Sequence, residues 1–426
     1  MTPGPAAAQA FVAGRERANR RAKTFAGRPG LALRATLDFL KTEAGGGAAL
    51  AAAAVAAMVL ANSPWSAVYF HAIEAPFTIQ IGGFAETLTV QAWVKDGLMA
   101  MFFFVIGLEI KQEVLKGELS SPRKLALPVI AALGGMIGPV LVALVVSRGA
   151  LAAGGAWAIP TATDVAFALA ALALVGRGLP DSLRLFLLVL AIADDLGAVA
   201  LIAALFTRPL HAWPLAGAAA SLLGLIALSR WRDAPLLLRV IGFVVLGAFT
   251  LKSGVSTSIA GVAAALTVPI GPRRPDQEPV LKNFMQSLHP YVAYGVLPLF
   301  AFTSAGVSLT GNPPREWLGA APLGIAAGLF LGKQAGVLAA SWIAVRTGLA
   351  RRPTGATWFE LYGVALLCGA GFTVSLFMGA LAFAHRGPAL QSEATLGVIL
   401  GSVASAAAGV AVLNAACRLR AQARRS

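Results

Sequence analysis

Residues 157–201 read WAIPTATDVAFALAALALVGRGLPDSLRLFLLVLAIADDLGAVAL. Two apolar stretches each carry carboxylates at mid-length, Asp164 in the first and the neighbours Asp194 and Asp195 in the second. A charge at the centre of a bilayer costs roughly 2.5–3.5 kcal/mol per residue on insertion scales, so three acids here need an offsetting cause. A site for a cation or a proton supplies one. Around Asp164, the residues Pro160, Thr161 and Thr163 interrupt the helical pattern and leave backbone carbonyls without intrahelical donors. Carbonyl and hydroxyl oxygens of that kind suit a hard cation.

The rest of the chain supplies the membrane. It is 58% hydrophobic and 12% charged over 426 residues, with a mean hydropathy of +0.76, which is the composition of a polytopic membrane protein. Apolar runs near 45–61, 93–116, 124–147, 155–176, 183–206, 212–229, 236–251, 254–271, 287–309, 320–345, 358–384 and 393–416 predict twelve spans. The fold class expected is therefore an all-α polytopic membrane protein. Most of the 34 Lys and Arg fall in loops that twelve spans and a cytoplasmic N-terminus put on the inner side. That bias predicts both termini in the cytoplasm, and the net charge of +15 then needs no nucleic acid as partner. Only Cys368 and Cys417 occur, so no disulfide framework is implied. Residues 1–36 are basic and lack the apolar core of a signal peptide. They read as a disordered cytoplasmic tail before a membrane domain at 37–416, with a short basic tail at 417–426.

Smaller features carry two readings each. Residues 77–90 alternate apolar and polar positions around Gly82–Gly83 and predict a β-hairpin, either a capped outer loop or an edge that pairs with a second copy. Trp65 and Tyr69 are expected at the outer interface. The span 93–116 has Asp96 near its start, a funnel candidate, and Glu109 and Glu113 share a helix face at its inner end. Those two glutamates are either a solvated helix end or the lining of a cation funnel. His289 is either an interfacial polar residue or part of a pH response. Residues 212–271 read mainly as scaffold.

Lys333 stands within GLFLGKQAGV (328–337), flanked by Gly332 and Gly336, where its ammonium has no short path to water. It requires a carboxylate partner, Asp194 or Asp195. Residues 363–383, GVALLCGAGFTVSLFMGALAF, are interrupted by Gly369, Gly371, Thr373 and Ser375 much as the earlier segment is by Pro160 and its threonines. Two broken hydrophobic segments in corresponding places of two halves point to a transporter of inverted repeats, with its site where the breaks cross. Half-helix ends there carry partial charges that Asp164 and Lys333 could neutralise.

With FLKTEAGGG, ANSPW, FFFVIGLEIKQE, WAIPTATDVAFALA, LAIADDLGA, LHPYVAY, LPLFAF, LGKQAG and LCGAGFTVSLF in this order, the chain resembles the NhaA family of bacterial sodium/proton antiporters from about residue 37 to 416. The resemblance implies electrogenic exchange of Na+ or Li+ for H+ across the inner membrane, pH-dependent activity serving sodium and pH homeostasis, and two discontinuous helices. No cofactor is expected, the ions being substrates, and the partners implied are membrane lipid and a second copy joined through the 77–90 hairpin. Asp195 matches the family's principal cation ligand and Asp194 its proton-exchanging neighbour. Thr163 and Asp164 match the unwound fourth helix, and Lys333 matches the lysine that pairs with the first acid of the tandem. Glu109, Glu113, Lys282 and His289 match a cytoplasmic pH-responsive surface. Gln112 stands where an arginine is familiar, and Met285 and Gln286 replace a Glu–His pair, so a shifted pH profile is expected.

Other chemistries fit less well. An intramembrane aspartyl protease needs two acids about 3 Å apart that share a proton. Asp194 and Asp195 diverge by about 100° on a helix, and although Asp164 could meet Asp195, a lysine would hold its partner acid ionised. An organic-anion symporter needs a cationic pocket rather than three acids around one lysine. A channel would lack saturable counter-transport.

Overall fold

Lipid offers the backbone no hydrogen-bond partner, so an apolar chain of this length satisfies its amides internally. The computed structural model describes residues 29–81, 84–116, 122–175, 178–207, 209–231, 235–271, 279–309, 317–384 and 386–423, and most of them are helical. The elements are α1 (Pro29–Ala61), α2 (Ser66–Glu74), β1 (Pro76–Ile81), β2 (Phe84–Thr89), α3 (90–116), α4 (Pro122–Val146), a 3-10 segment (Ala153–Thr161), α5 (Val165–Val175) and α6 (Asp181–Leu205). After them come α7 (Ala212–Arg230), α8 (Leu236–Ser253), α9 (Thr257–Thr267), α10 (280–304), α11 (Ala320–Arg346), α12 (Trp358–Leu367), α13 (Phe372–Ala382) and α14 (Pro388–Ala423). Single π turns cross α3 at Val94–Leu98, α10 at Val292–Val296 and α11 at Gly328–Gly332.

Among the described residues, seven helical stretches are long and apolar enough to cross a membrane, or nine if each of two bent pairs is one span. One pair is the end of α1 with α2, bent by 116°; the other is α12 with α13, bent by 42°. On α4, Leu133, Ile137, Leu141 and Val145 recur every fourth residue and are exposed, a stripe suited to lipid. Its other side meets α11 through glycines: a Cβ on Gly134 would lie 2.3 Å from the Gly336 carbonyl, and one on Gly138 would lie 2.4 Å from that of Gly332. Only small residues allow that approach. It carries Lys333, between those two α11 glycines, into the interior.

The hairpin forms as expected, β1 and β2 pairing antiparallel with Phe77 opposite Leu88 and Ile79 opposite Glu86. Its Gly82–Gly83 turn lies outside the described residues, as do residues 1–28 of the expected tail. Helix α1 is already under way at Pro29, inside the 1–36 stretch, and α14 continues to Ala423, inside the 417–426 stretch. Trp65 is exposed, but Tyr69 is not the interfacial residue expected. It is buried, and its hydroxyl donates to the Phe302 carbonyl at 2.5 Å while its ring meets that of Phe302 edge-on. Arg239, in the first turn of α8, is also buried.

Candidate cation site

Two interruptions of regular helix meet in the interior. In the first, the 3-10 segment ends with Pro160 and Thr161, and Ala162, Thr163 and Asp164 run non-helically into α5. In the second, residues 368–371 separate α12 from α13. The two join through their backbones, the Asp164 amide donating to the Ala370 carbonyl at 2.7 Å. Two glycines of the second break allow close approach, Gly369 to α11 and Gly371 to the first break. A Cβ on Gly369 would fall 2.3 Å from the Leu329 carbonyl, and one on Gly371 would fall 2.7 Å from that of Ala162.

Asp164 is buried at the start of both half-helices. Its Oδ1 accepts from the Phe167 amide at 3.0 Å, capping α5. Its Oδ2 accepts from the Thr373 amide at 3.0 Å and the Thr373 hydroxyl at 2.7 Å, capping α13. One carboxylate thus faces two positive helix ends. Lys333 sits at the opposite polarity. Its Nζ donates to the carbonyl of Thr161, the last residue of the 3-10 segment, and to Asp194 Oδ2 at 2.5 Å, with both side chains fully buried. The lysine's partner is therefore the first acid of the tandem.

Thr163 links this pair to the second break. Its hydroxyl lies 2.7 Å from Asp194 Oδ2 and 2.8 Å from the Cys368 carbonyl, and its single proton serves one acceptor at a time. Asp194 thereby takes its bonds on Oδ2, leaving Oδ1 buried with no hydrogen-bond partner; Asp195 Oδ1 is likewise buried and without one. Buried carboxylate oxygens with no donor are rare and costly, and they mark where a cation or proton would be taken up.

Asp195 and Asp164 line a cavity of about 60 Å³ together with Thr373, Glu109 and His289, its remaining wall being apolar and formed by α3, α5, α10 and α13. That is room for a few waters or a small ion. The cavity gathers Asp195, Asp164, Glu109 and His289, but other expected residues lie elsewhere. Glu113 and Lys282 do not line it; Glu113 is partly buried and Lys282 exposed. Asp96 stands in the π turn at the far end of α3 from Glu109, 3.7 Å from Lys95.

The residues that a reading of side chains overlooked are mostly backbone groups: the carbonyls of Thr161, Cys368 and Ala370, and the Phe167 amide. Helix interruption signals that such groups exist but not where they point. Glu360 does carry a sequence signal, since Thr357-x-x-Glu360 has the form of a capping box.

A profile for the family described as Na+/H+ antiporter 1 matches residues 37–413. The Na(+)/H(+) antiporter NhaA of Rhodospirillum rubrum is 47% identical over 388 residues, covering 90% of this chain and 97% of its own length. That of Pseudomonas fluorescens is 45% identical over 387 residues, covering 91% and 98%. An antiporter called NhaA 2 from Pseudomonas syringae pv. syringae is 48% identical over 379 residues, covering 88% and 94%.

Proposed function

Since the chain belongs to the Na+/H+ antiporter 1 family, we propose that it exchanges Na+ or Li+ for H+ by letting both compete for Asp195 and Asp194. The observation that carries this reading is the pair of buried, partnerless carboxylate oxygens on adjacent residues, one of them in the wall of the cavity. From one side Asp195 takes the cation, with Asp194, Thr163 and nearby backbone oxygens completing its shell. From the other side it takes a proton. Lys333 follows Asp194, neutralising it when it is ionised and releasing it when a proton or cation arrives. Asp164 remains ionised as the counter-charge of the two helix starts. Exchange requires that loaded states, and not the empty charged one, cross between orientations. With more protons than sodium ions moved per cycle, the membrane potential drives sodium out.

In this reading the chain spans the inner membrane twelve times as inverted repeats, with both termini cytoplasmic. Glu109 and His289, in the cavity wall, set the pH response from its inner mouth, and Glu113 and Lys282 act on it from the surface. The hairpin joins two copies. It is held to the bundle by Lys252, whose Nζ lies 3.5 Å from Glu86 and 3.3 Å from the Ala85 carbonyl, and its Phe77 is exposed.

The test is sodium-evoked proton movement in everted vesicles or proteoliposomes. Asp195→Asn, which keeps shape and removes charge, is expected to abolish it at every pH and cation concentration. Normal exchange in that variant would overturn the assignment. Cleavage of a membrane peptide by the same preparation would favour the protease chemistry instead.

A further inference from the structure

One charge pair, a buried glutamate with a partly exposed arginine, has no part in the exchange just described. It lies at the other end of the second broken segment. α12 opens with a capping box, the Glu360 amide donating to the Thr357 hydroxyl at 3.2 Å and the Thr357 amide to Glu360 Oε2 at 2.8 Å. Capping alone leaves a glutamate in water. Here Glu360 is 2% exposed, and its Oε1 accepts from Arg420 Nη1, on α14, at 2.6 Å. The same guanidinium donates through Nη2 to the Gly355 carbonyl at 2.7 Å. Gly355 has φ +73, which a glycine adopts without strain, and the adjacent Thr354 carbonyl accepts from the Ser182 hydroxyl at 2.7 Å. Ser182 lies in the first turn of the helix that bears Asp194 and Asp195. Three elements therefore converge on one short loop.

The pair reaches the cation site through α12 itself. This helix is unbroken from Trp358 to Leu367, and the next residue presents the Cys368 carbonyl to Thr163. A shift at its start is carried to its end because a packed helix moves as a unit. Removing the guanidinium would leave a buried carboxylate with its charge uncompensated, which drives the start of the helix toward water. We propose that Arg420 is a positioning residue: by holding Glu360 at the start of α12 it sets where Cys368 and Thr163 stand, and so sets the affinity for the cation. The role rests on the antiporter reading above.

The test compares full-length Arg420→Met, Arg420→Lys and the double variant Glu360→Gln with Arg420→Met. Sodium-dependent proton movement in proteoliposomes separates apparent KM from maximal rate, and the Na+ concentration that half-saturates thermal stabilisation in detergent reads binding without transport. Arg420→Met is expected to raise both sodium constants about tenfold with the maximal rate within about twofold, the size of coupling between contacting groups. The double variant, which removes the buried charge along with its partner, is expected to return them to within about threefold, and Arg420→Lys to fall between. If Arg420→Met does not accumulate, Glu360→Gln alone is read, and about a threefold rise is expected. Unchanged sodium constants in Arg420→Met, or in Glu360→Gln where Arg420→Met does not fold, would overturn the role. So would lost stability and maximal rate at unaltered sodium affinity. No sodium-evoked signal from the unsubstituted chain would instead overturn the antiporter reading, and this role with it.

Discussion

The two interruptions that meet at the site are built from opposite materials. The first, at 162–164, contributes a hydroxyl and a carboxylate; the second, at 368–371, contains no charge and is half glycine. One supplies charge and the other supplies room. A single carboxylate can cap α5 and α13 together because Gly371 lets the second break come close to the Ala162 carbonyl of the first, while Gly369 makes room for the Leu329 carbonyl of α11. Two acidic breaks would repel each other in a medium of low dielectric, and two glycine breaks would leave both helix starts without a counter-charge. The pairing of unlike breaks resolves both problems.

Three substitutions would break or sharpen this contrast. The largest effect is expected from crowding the glycine side. Gly369→Val forces a branched side chain against the Leu329 carbonyl and the Ser405 hydroxyl, a clash at backbone that costs about 3 kcal/mol or more. Loss of folded protein from the membrane, read by detergent gel filtration, is the expected outcome. A folded variant with normal exchange would show that the room is not needed.

Next comes the charged side. Asp164→Asn keeps an acceptor but removes the charge from two helix starts, each worth up to about 2 kcal/mol in a buried setting. Exchange is expected to fall on the order of a hundredfold or more, measured as sodium-evoked proton flux. The smallest effect is expected from Thr373→Ala, which deletes the hydroxyl bond to Asp164 while the amide bond from the same residue remains. A net loss of about 1 kcal/mol, or about a fivefold change in apparent KM, follows. Thr373→Ser should restore it. An Ala variant as impaired as Asp164→Asn would mean that the hydroxyl, and not the charge, governs the second helix start.

Much of this arrangement could be read in advance because charge in an apolar run is conspicuous. Asp164, Asp194, Asp195 and Lys333 stand out for that reason, and Pro160 and the Gly369–Gly371 pair stand out as breaks. The residues by themselves left the choice of partner between Asp194 and Asp195 open, and only the family resemblance pointed to Asp194. Asp194 and Asp195 are neighbours that point in different directions, so the rotation of α6 about its axis decides which meets Lys333, and that rotation follows from packing over the whole bundle. Tyr69 looked interfacial by residue type, yet the bend after α1 turns it inward to Phe302. Glu360 and Arg420 are 60 residues apart and each looks like an ordinary cytoplasmic charge; only the adjacency of α12 and α14 brings the arginine onto the buried glutamate.

The sequence alone determined that the chain lies in lipid, where its helices are interrupted and which residues must be neutralised, since the cost of a charge or an unpaired backbone group in hydrocarbon is local and is incurred at each position separately. Tertiary structure decided who neutralises whom. That depends on the crossing of segments some two hundred residues apart, where glycine-sized gaps bring a carboxylate to one helix start and an ammonium to the end of another. No local rule of sequence carries that distance.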